Sequence, residues 1–403
     1  MKGLIRVSVR RNLMYIIYLM IFYYLRKGVL MIINSEYEFN ESLIFTFLMF
    51  SGEFLGALSI YLYQILSFKN VDEEKEKIKK ENTRKSKYLG MILIHAKAKI
   101  LRSDNIFKIG LLLFFSASFD FIEFVIATFY IPRFSIISPT AEYRFGGLII
   151  IIGALLCYYN LKMRLGKHQF YSLLIIGIGL IIIIVLEIIY RGKGVSFGYF
   201  CLAHMLVIGY LIFVPFTDII EKYLIDINSI NPFIILMAEA IIGFVLIYIY
   251  SSEIDPFKDI KRLYIECSGG DFVLLIFLLF LYLAFSAGVN IYKILTNGLY
   301  SPMAKTLAAY ILNPLIFIYY FVLGNDFSTD GERNWFYFFV NLFIAIIISF
   351  LGCIFNEFII LTCFGLDKET HRSISDRAIN NFIDDEKMCH MDTISEEEYF
   401  YTN

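Results

Sequence analysis

The chain is poor in cysteine, histidine, proline and charge, and each shortage removes a class of protein. Six cysteines in 403 residues, at 157, 201, 267, 353, 363 and 389, form no Cys-x-x-Cys pair, which excludes a disulfide framework and a thiolate zinc site. Five histidines are scattered along the chain. No HExxH, GxSxG or P-loop pattern occurs, so the sequence predicts no enzyme, no metal site and no cofactor. A net charge of -1 excludes a general nucleic-acid binder. Seven prolines leave most apolar stretches unbroken.

What is abundant is apolar surface. The composition is 58% hydrophobic and 18% aromatic, with a mean hydropathy of +0.67, more than a water-soluble domain can bury. A bilayer core takes about 20 apolar residues per helix. Apolar windows place helices at 13–33, 42–67, 106–130, 138–160, 169–190, 197–219, 232–250, 272–292, 301–323 and 335–363. The expected fold is therefore all-α: a polytopic membrane protein with ten transmembrane helices. Arg26 and Lys27 fall inside the first helix and require a polar bundle interior or a route to the interface. The basic start, Lys2, Arg6, Arg10 and Arg11, resembles the head of a secretory signal, but no small-residue cleavage site follows.

Lys and Arg cluster in residues 1–12, in the loop 68–105 and in the turn with Lys162, Arg164 and Lys167, which predicts that both termini are cytosolic. The loop alternates acids and bases in i,i+4 register, such as Glu73 with Lys77, and reads as a solvated helix. Residues 364–403 are acidic and polar and read as a disordered cytosolic tail.

Two distant segments open alike: Ser138-Pro139-Thr140-Ala141-Glu142 and Ser301-Pro302-Met303-Ala304-Lys305. Each begins the fourth helix of a five-helix half, 13–190 and 197–363. An odd number of crossings inverts the second half relative to the first, which predicts two inverted five-helix repeats. Gly52-Glu53-Phe54-Leu55-Gly56 and Glu239-Ala240-Ile241-Ile242-Gly243 lie in equivalent helices, each with a carboxylate about one turn before a glycine.

A charge at bilayer depth costs about 2.5–3.5 kcal/mol and faces a partner or a watery cavity. The candidates are Glu53, Asp120, Glu123, Glu142, Arg144, Glu239 and Lys305. Asp120 and Glu123 share a helix face, whereas Glu142 and Arg144 point apart. Two like charges on one desolvated face suit proton coupling. Under a functional reading, Arg144 and Lys305 meet an anionic solute, Glu53 or Glu239 carries protons, and Tyr143 lines the path. The excess of acids also suits a cationic solute. Under a structural reading, Arg144 and Lys305 neutralise the acids and tie the halves together. His204 reads as a hydrogen-bonded structural residue or a proton relay, and Asn290, Asn313 and Asn356 as interhelical hydrogen-bonding groups.

Several of these segments resemble the drug/metabolite transporter superfamily, in particular the nucleotide-sugar-transporter-like solute carriers of family thirty-five, subfamily F, member-six type. Met49-Phe50-Ser51-Gly52-Glu53-Phe54 is similar to that branch's second helix, Asp120 falls where its third carries an aspartate, and Arg144 with Gly146 resembles the pair opening its fourth. Glu221-Lys222-Tyr223, Pro232, Glu239 to Phe244, Leu351-Gly352 and Phe355-Asn356-Glu357-Phe358 continue the likeness. Phe145 between Arg144 and Gly146, Glu123, Pro215 and the Asn313-Pro314 break depart from it. The resemblance implies an EamA-like fold with a central cavity in an endomembrane (Golgi, endoplasmic reticulum, vacuole or lysosome). It implies a secondary transporter of a small organic solute: a nucleotide sugar, a phosphorylated metabolite or another metabolite. The alternative is a membrane receptor or scaffold acting through the charged loop and tail.

Overall fold

A computed structural model of the chain describes residues 5–7, 13–37, 42–79, 106–131, 134, 137–138, 140–160, 165–192, 196–251, 261, 264–265, 269–299, 302–323, 328–329 and 332–361. The helices are α1 (Leu13–Tyr37), α2 (Ser42–Lys79), α3 (Ile106–Val125, continued by the π turn Ile126–Tyr130), α4 (Ala141–Phe145), α5 (Gly147–Asn160), α6 (Lys167–Arg191), α7 (Phe197–Asp226), α8 (Pro232–Ser251), α9 (Gly269–Leu299), α10 (Pro302–Tyr310), α11 (Asn313–Leu323) and α12 (Trp335–Phe355). Residues 80–105 and 362–403, which hold most of the predicted loop and the tail, lie outside the described residues.

Among the described residues, eight segments are long and apolar enough to cross a membrane by length and composition, one of them α10 and α11 taken together. Two more are apolar but fall short: α3 carries Lys108, Asp120 and Glu123, and α5 has 14 residues. Large apolar side chains point outward, as with Ile181 at 63% exposure and Phe280 at 64%, while Glu53, Arg144, Asp218, Glu221 and Glu239 are buried. Water would reverse that distribution; lipid satisfies it. The architecture is that of an all-α multi-pass membrane protein.

Helix packing follows a regular scheme. α1 packs on α9 and α3 on α7; α2 faces α8, and α6 faces α12; α5 lies on α7 and α10 on α1. Glycines set the closest approaches. A Cβ on Gly52 would stand 2.6 Å from the Leu283 carbonyl oxygen in α9, and one on Gly243 2.6 Å from the Phe50 ring. α2 therefore seats tightly against both α9 and α8, which holds Glu53 and Glu239 in the interior.

The helices differ from expectation in several places. Both segments opened by Ser-Pro are broken, the second at the expected Asn313-Pro314 and the first, which was not expected, at Gly146. α4 ends at Phe145 and α5 resumes at Gly147; α10 ends at Tyr310 and α11 resumes at Asn313. Pro314 lacks the N–H that would bond to the Tyr310 carbonyl, and Ser349 Oγ donates to that oxygen instead at 3.3 Å. The two breaks touch: Asn313 Nδ2 donates to the Tyr143 carbonyl at 3.0 Å, and a Cβ on Gly146 would meet the Tyr310 ring at 2.3 Å. The first of these segments starts later than the expected 138, because α4 begins at Ala141 with Thr140 at its cap. α7 and α9 run on to Asp226 and Leu299, past the expected 219 and 292. The last helix stops at Phe355, and Ile359–Leu361 form a strand that pairs antiparallel with Ile5–Val7. The chain thus enters α1 and leaves α12 at the same end of the bundle.

Candidate functional site

A chamber of about 130 Å³ lies among six helices. α1 contributes Tyr23 and Arg26; α2, Glu53; α3, Asp120, Glu123 and Phe124; α7, Tyr210 and Asp218; α9, Asn290 and Lys293; α10, Lys305, Thr306 and Tyr310. A second cavity, of about 230 Å³, shares Tyr23, Arg26, Glu123, Phe124 and Tyr210 with it and adds Lys27, Asn34, Glu142 and Tyr282. Asn34 near the end of α1 and Glu142 at the start of α4 place this second cavity toward the end of the bundle away from the β pair. A third space, of about 680 Å³, is an apolar groove between α1 and α11 that reaches Lys27 and Tyr143.

The chamber floor is a buried ionic network. Lys293 Nζ stands 3.3 Å and 3.4 Å from the two Asp120 oxygens and 3.8 Å from Glu221. Lys305 Nζ donates to Asp218 Oδ1 and lies 3.9 Å from Glu221 Oε2. Asn297 Nδ2 donates to Glu221 Oε2 at 2.8 Å and to the Asp218 carbonyl at 2.7 Å. Lys222 Nζ, on α7, donates to the Gly298 carbonyl at 2.9 Å. These contacts bind the late turns of α7 to α9 and α10. Asn290 Nδ2 donates to Glu53 Oε2 at 3.2 Å. Oxygens of Asp120, Glu221 and Glu239 lie within 4.8 Å of one another, and neither Glu239 oxygen accepts a hydrogen bond among the described residues.

On the opposite side, Lys27 Nζ donates to Glu142 Oε1 at 2.6 Å, and Tyr210 Oη donates to Glu142 Oε2 at 3.1 Å. This pair joins α1 to α4 and closes over the second cavity. It is wetter than the network below, with side-chain exposures of 29% and 17% against 9% and 1% for Lys305 and Asp218.

Of the residues expected at a site, Glu53, Asp120, Glu123 and Lys305 line the chamber, and Glu239 lies directly behind it. Arg144 and Tyr143 are elsewhere. Arg144 is fully buried and donates to Glu187, to the Tyr337 hydroxyl and, at 2.7 Å, to Thr140 Oγ1, so it fastens α4 to α6 and α12. Tyr337 Oη also donates to Glu187, at 2.7 Å. Tyr143 borders the lateral groove, its ring 5.6 Å from Lys27 Nζ. The His204 ring is held by the Phe200 carbonyl at 3.0 Å, stacks on the Phe200 ring and places Nε2 3.7 Å from Glu187 Oε2. Asn290 and Asn313 bridge helices as expected, whereas Asn356 bonds within its own helix end.

Asp218, Glu221, Lys293 and Glu187 were not anticipated as site or latch residues. Ending the helices at 219 and 292 assigned Glu221 and Lys293 to the interface. The available signal was the uninterrupted helical pattern past Asp218, with Lys222 and Asp226 in i,i+4 register and 3.3 Å apart. Compared with known proteins, the chain matches no family model and no curated protein.

Proposed function

We propose that this protein is a secondary transporter of a small organic solute, built as two inverted five-helix repeats of ten spans and working by alternating access. Among the observations, the one that carries the reading is the chamber itself: an ionisable cavity walled by α1, α2 and α3 from one half and α7, α9 and α10 from the other. A charge at bilayer depth costs about 2.5–3.5 kcal/mol, and a cluster of them is kept where solute or ions must pass.

The helix contacts support the repeat. Exchanging the halves maps α1 on α9 onto α7 on α3, maps the broken helix α4–α5 on α7 onto the broken helix α10–α11 on α1, and returns α2 on α8 and α6 on α12 to themselves. The broken helices α4–α5 and α10–α11 are equivalents under that exchange. Breaks at bilayer depth persist where the freed backbone groups find partners; here Asn313 of the second break supplies one to the first, and Ser349 of α12 supplies one to the second.

The same exchange supports a gating mechanism. Lys27–Glu142 joins the first and fourth helices of one half; Asp218–Lys305 joins those of the other. Opening one end of the chamber requires parting one pair while the other stays closed. A partly exposed pair contributes about 0–1 kcal/mol, whereas separating a buried one costs about 3–5 kcal/mol, so the Lys27–Glu142 end opens first. The unpaired carboxylates of Glu123 and Glu239 suit protons as the coupling ion. The resemblance to nucleotide-sugar-transporter-like solute carriers supports the same class and an endomembrane location.

Purified protein reconstituted into vesicles and screened against nucleotide sugars, amino acids and organic cations tests the reading. Saturable uptake of one solute class, stimulated by the same solute preloaded inside, is the expected result. Absence of any saturable flux across the panel would sink it.

A further inference from the structure

The chamber carries more negative charge than its own cations neutralise. Glu53, Asp120, Glu123 and Asp218 line it, Glu221 and Glu239 stand behind it, and the cations among the described residues there are Arg26, Lys293 and Lys305. Lys293 is taken by Asp120 and Glu221, Lys305 by Asp218 and Glu221, and Arg26 lies 5.8 Å from the Tyr23 ring centroid. Glu123 is left without a hydrogen bond or ion pair among the described residues, and its half-buried side chain faces both cavities. Asp218 Oδ2 and both Glu239 oxygens, all fully buried, are likewise without hydrogen-bond partners.

The walls beside Glu123 are aromatic. Tyr23, Phe124, Tyr210 and Arg26 border the same two cavities as Glu123 does; the Tyr23 ring already has Arg26 at 5.8 Å and Lys27 at 5.9 Å, whereas the Tyr210 ring has no cation over it among the described contacts. An uncompensated carboxylate among ring faces favours one ligand chemistry: a positive charge spread over a small alkylated head, attracted by the carboxylate and by the ring quadrupoles. In the chamber an anion would meet Glu53, Asp120, Glu123 and Asp218, while the second cavity sets Arg26 and Lys27 against Glu123 and Glu142. Size agrees, since cavities of about 130 and 230 Å³ together hold roughly a dozen water-sized groups at ~30 Å³ each.

We propose that the chamber binds a small organic ammonium ion at the juncture of the two cavities, with Glu123 as its counter-ion and Tyr23, Phe124 and Tyr210 as its walls. The proposal rests on the transporter reading for its biological use, but the binding itself does not require transport. The ligand enters from the side closed by Lys27–Glu142 and meets Glu123 before reaching the Lys293 and Lys305 network.

The test is binding to the purified full-length protein in detergent, read as a shift in melting midpoint and by titration calorimetry. The probes are choline, its uncharged isostere 3,3-dimethylbutan-1-ol, and inorganic phosphate. Choline should bind and stabilise, the alcohol and phosphate should not, and Glu123→Gln should weaken choline at least tenfold while the protein stays monodisperse. Tyr23→Leu, which keeps the carboxylate, should weaken choline by a smaller factor, and it carries the test if Glu123→Gln does not fold. Equal binding of the alcohol, binding of phosphate alone, no response to choline, or full affinity in both variants would overturn the proposal. Vesicle uptake separates this proposal from the carrier reading. Choline binding without flux of any solute overturns transport and leaves the site standing. Saturable flux of an anion without choline binding overturns the site and leaves transport standing.

Discussion

Glu142 and Lys305 each stand four residues after the serine of a Ser-Pro opening, and each is ion-paired to another helix of its own half, with the sign reversed. Glu142 takes Lys27 from α1; Lys305 takes Asp218 from α7. In the proposed mechanism the two positions do the same mechanical work with opposite charges, at opposite ends of the chamber. Their surroundings differ, because the first pair is partly exposed, whereas the second, on the chamber wall, is buried and braced by Asn297 and Glu221.

Glu142→Gln should loosen the wetter end with little loss of stability, about 0–1 kcal/mol. A cysteine placed at Val289, buried in the chamber wall, reports on it. Labelling by a membrane-impermeant maleimide should accelerate in the Glu142→Gln background; an unchanged rate would mean that Glu142 does not close the path.

Lys305→Met should destabilise by about 3–5 kcal/mol, because Asp218 is left charged and buried with no cation against it. Adding Asp218→Leu should recover most of the loss. Melting curves of the two single variants and the double variant check this, and an undiminished loss in the double variant would assign the effect to packing.

Arg144→Met is expected to act on folding, not on solute recognition. It takes the nearest cation from buried Glu187 and leaves Tyr337, His204 and Arg191 against it, at a cost below that of an uncompensated buried charge, about 3–5 kcal/mol. Arg144→Lys should rescue little, since one ammonium cannot reach Glu187, Tyr337 and Thr140 as the guanidinium fork does. Size-exclusion profiles and melting midpoints decide it; a stable Arg144→Met protein with lost uptake would return Arg144 to the solute path.

Pro314→Ala restores an N–H opposite the Tyr310 carbonyl and lets α10 and α11 join. Stability should change by less than about 1 kcal/mol, because the regained hydrogen bond offsets the greater freedom of the unfolded chain, while uptake slows several-fold because the bend can no longer change. Undiminished uptake would show that the break is only accommodated and has no part in the motion.

Much of the interior was legible before any packing was known. Glu53, Asp120, Glu123, Glu239 and Lys305 stand out because a charge inside an apolar window has few places to go, and all five are at or directly behind the chamber. Arg144 looked the same by that criterion and is a latch. Nothing in the local sequence separates the two outcomes: Arg144 differs from Glu142 by two residues, about 200° around the helix, and only the position of α6 and α12 decides what each side chain meets. The departures from the expected helix ends have a similar cause. Charged residues close a lipid-facing helix but not one whose last turns are held by partners, as Glu221 and Lys293 are.

By itself the sequence determined the solvent of this protein, because its apolar content can be satisfied only by lipid, and it determined where along each helix the charges and the Asn313-Pro314 break fall. The tertiary structure decided which charges share a chamber and which lock the frame. Helices that are apolar nearly all round carry no face of their own in the sequence. Their rotation is set by neighbours, through contacts such as Gly52 on Leu283 and Asn313 on Tyr143, which are formed only when the whole bundle assembles.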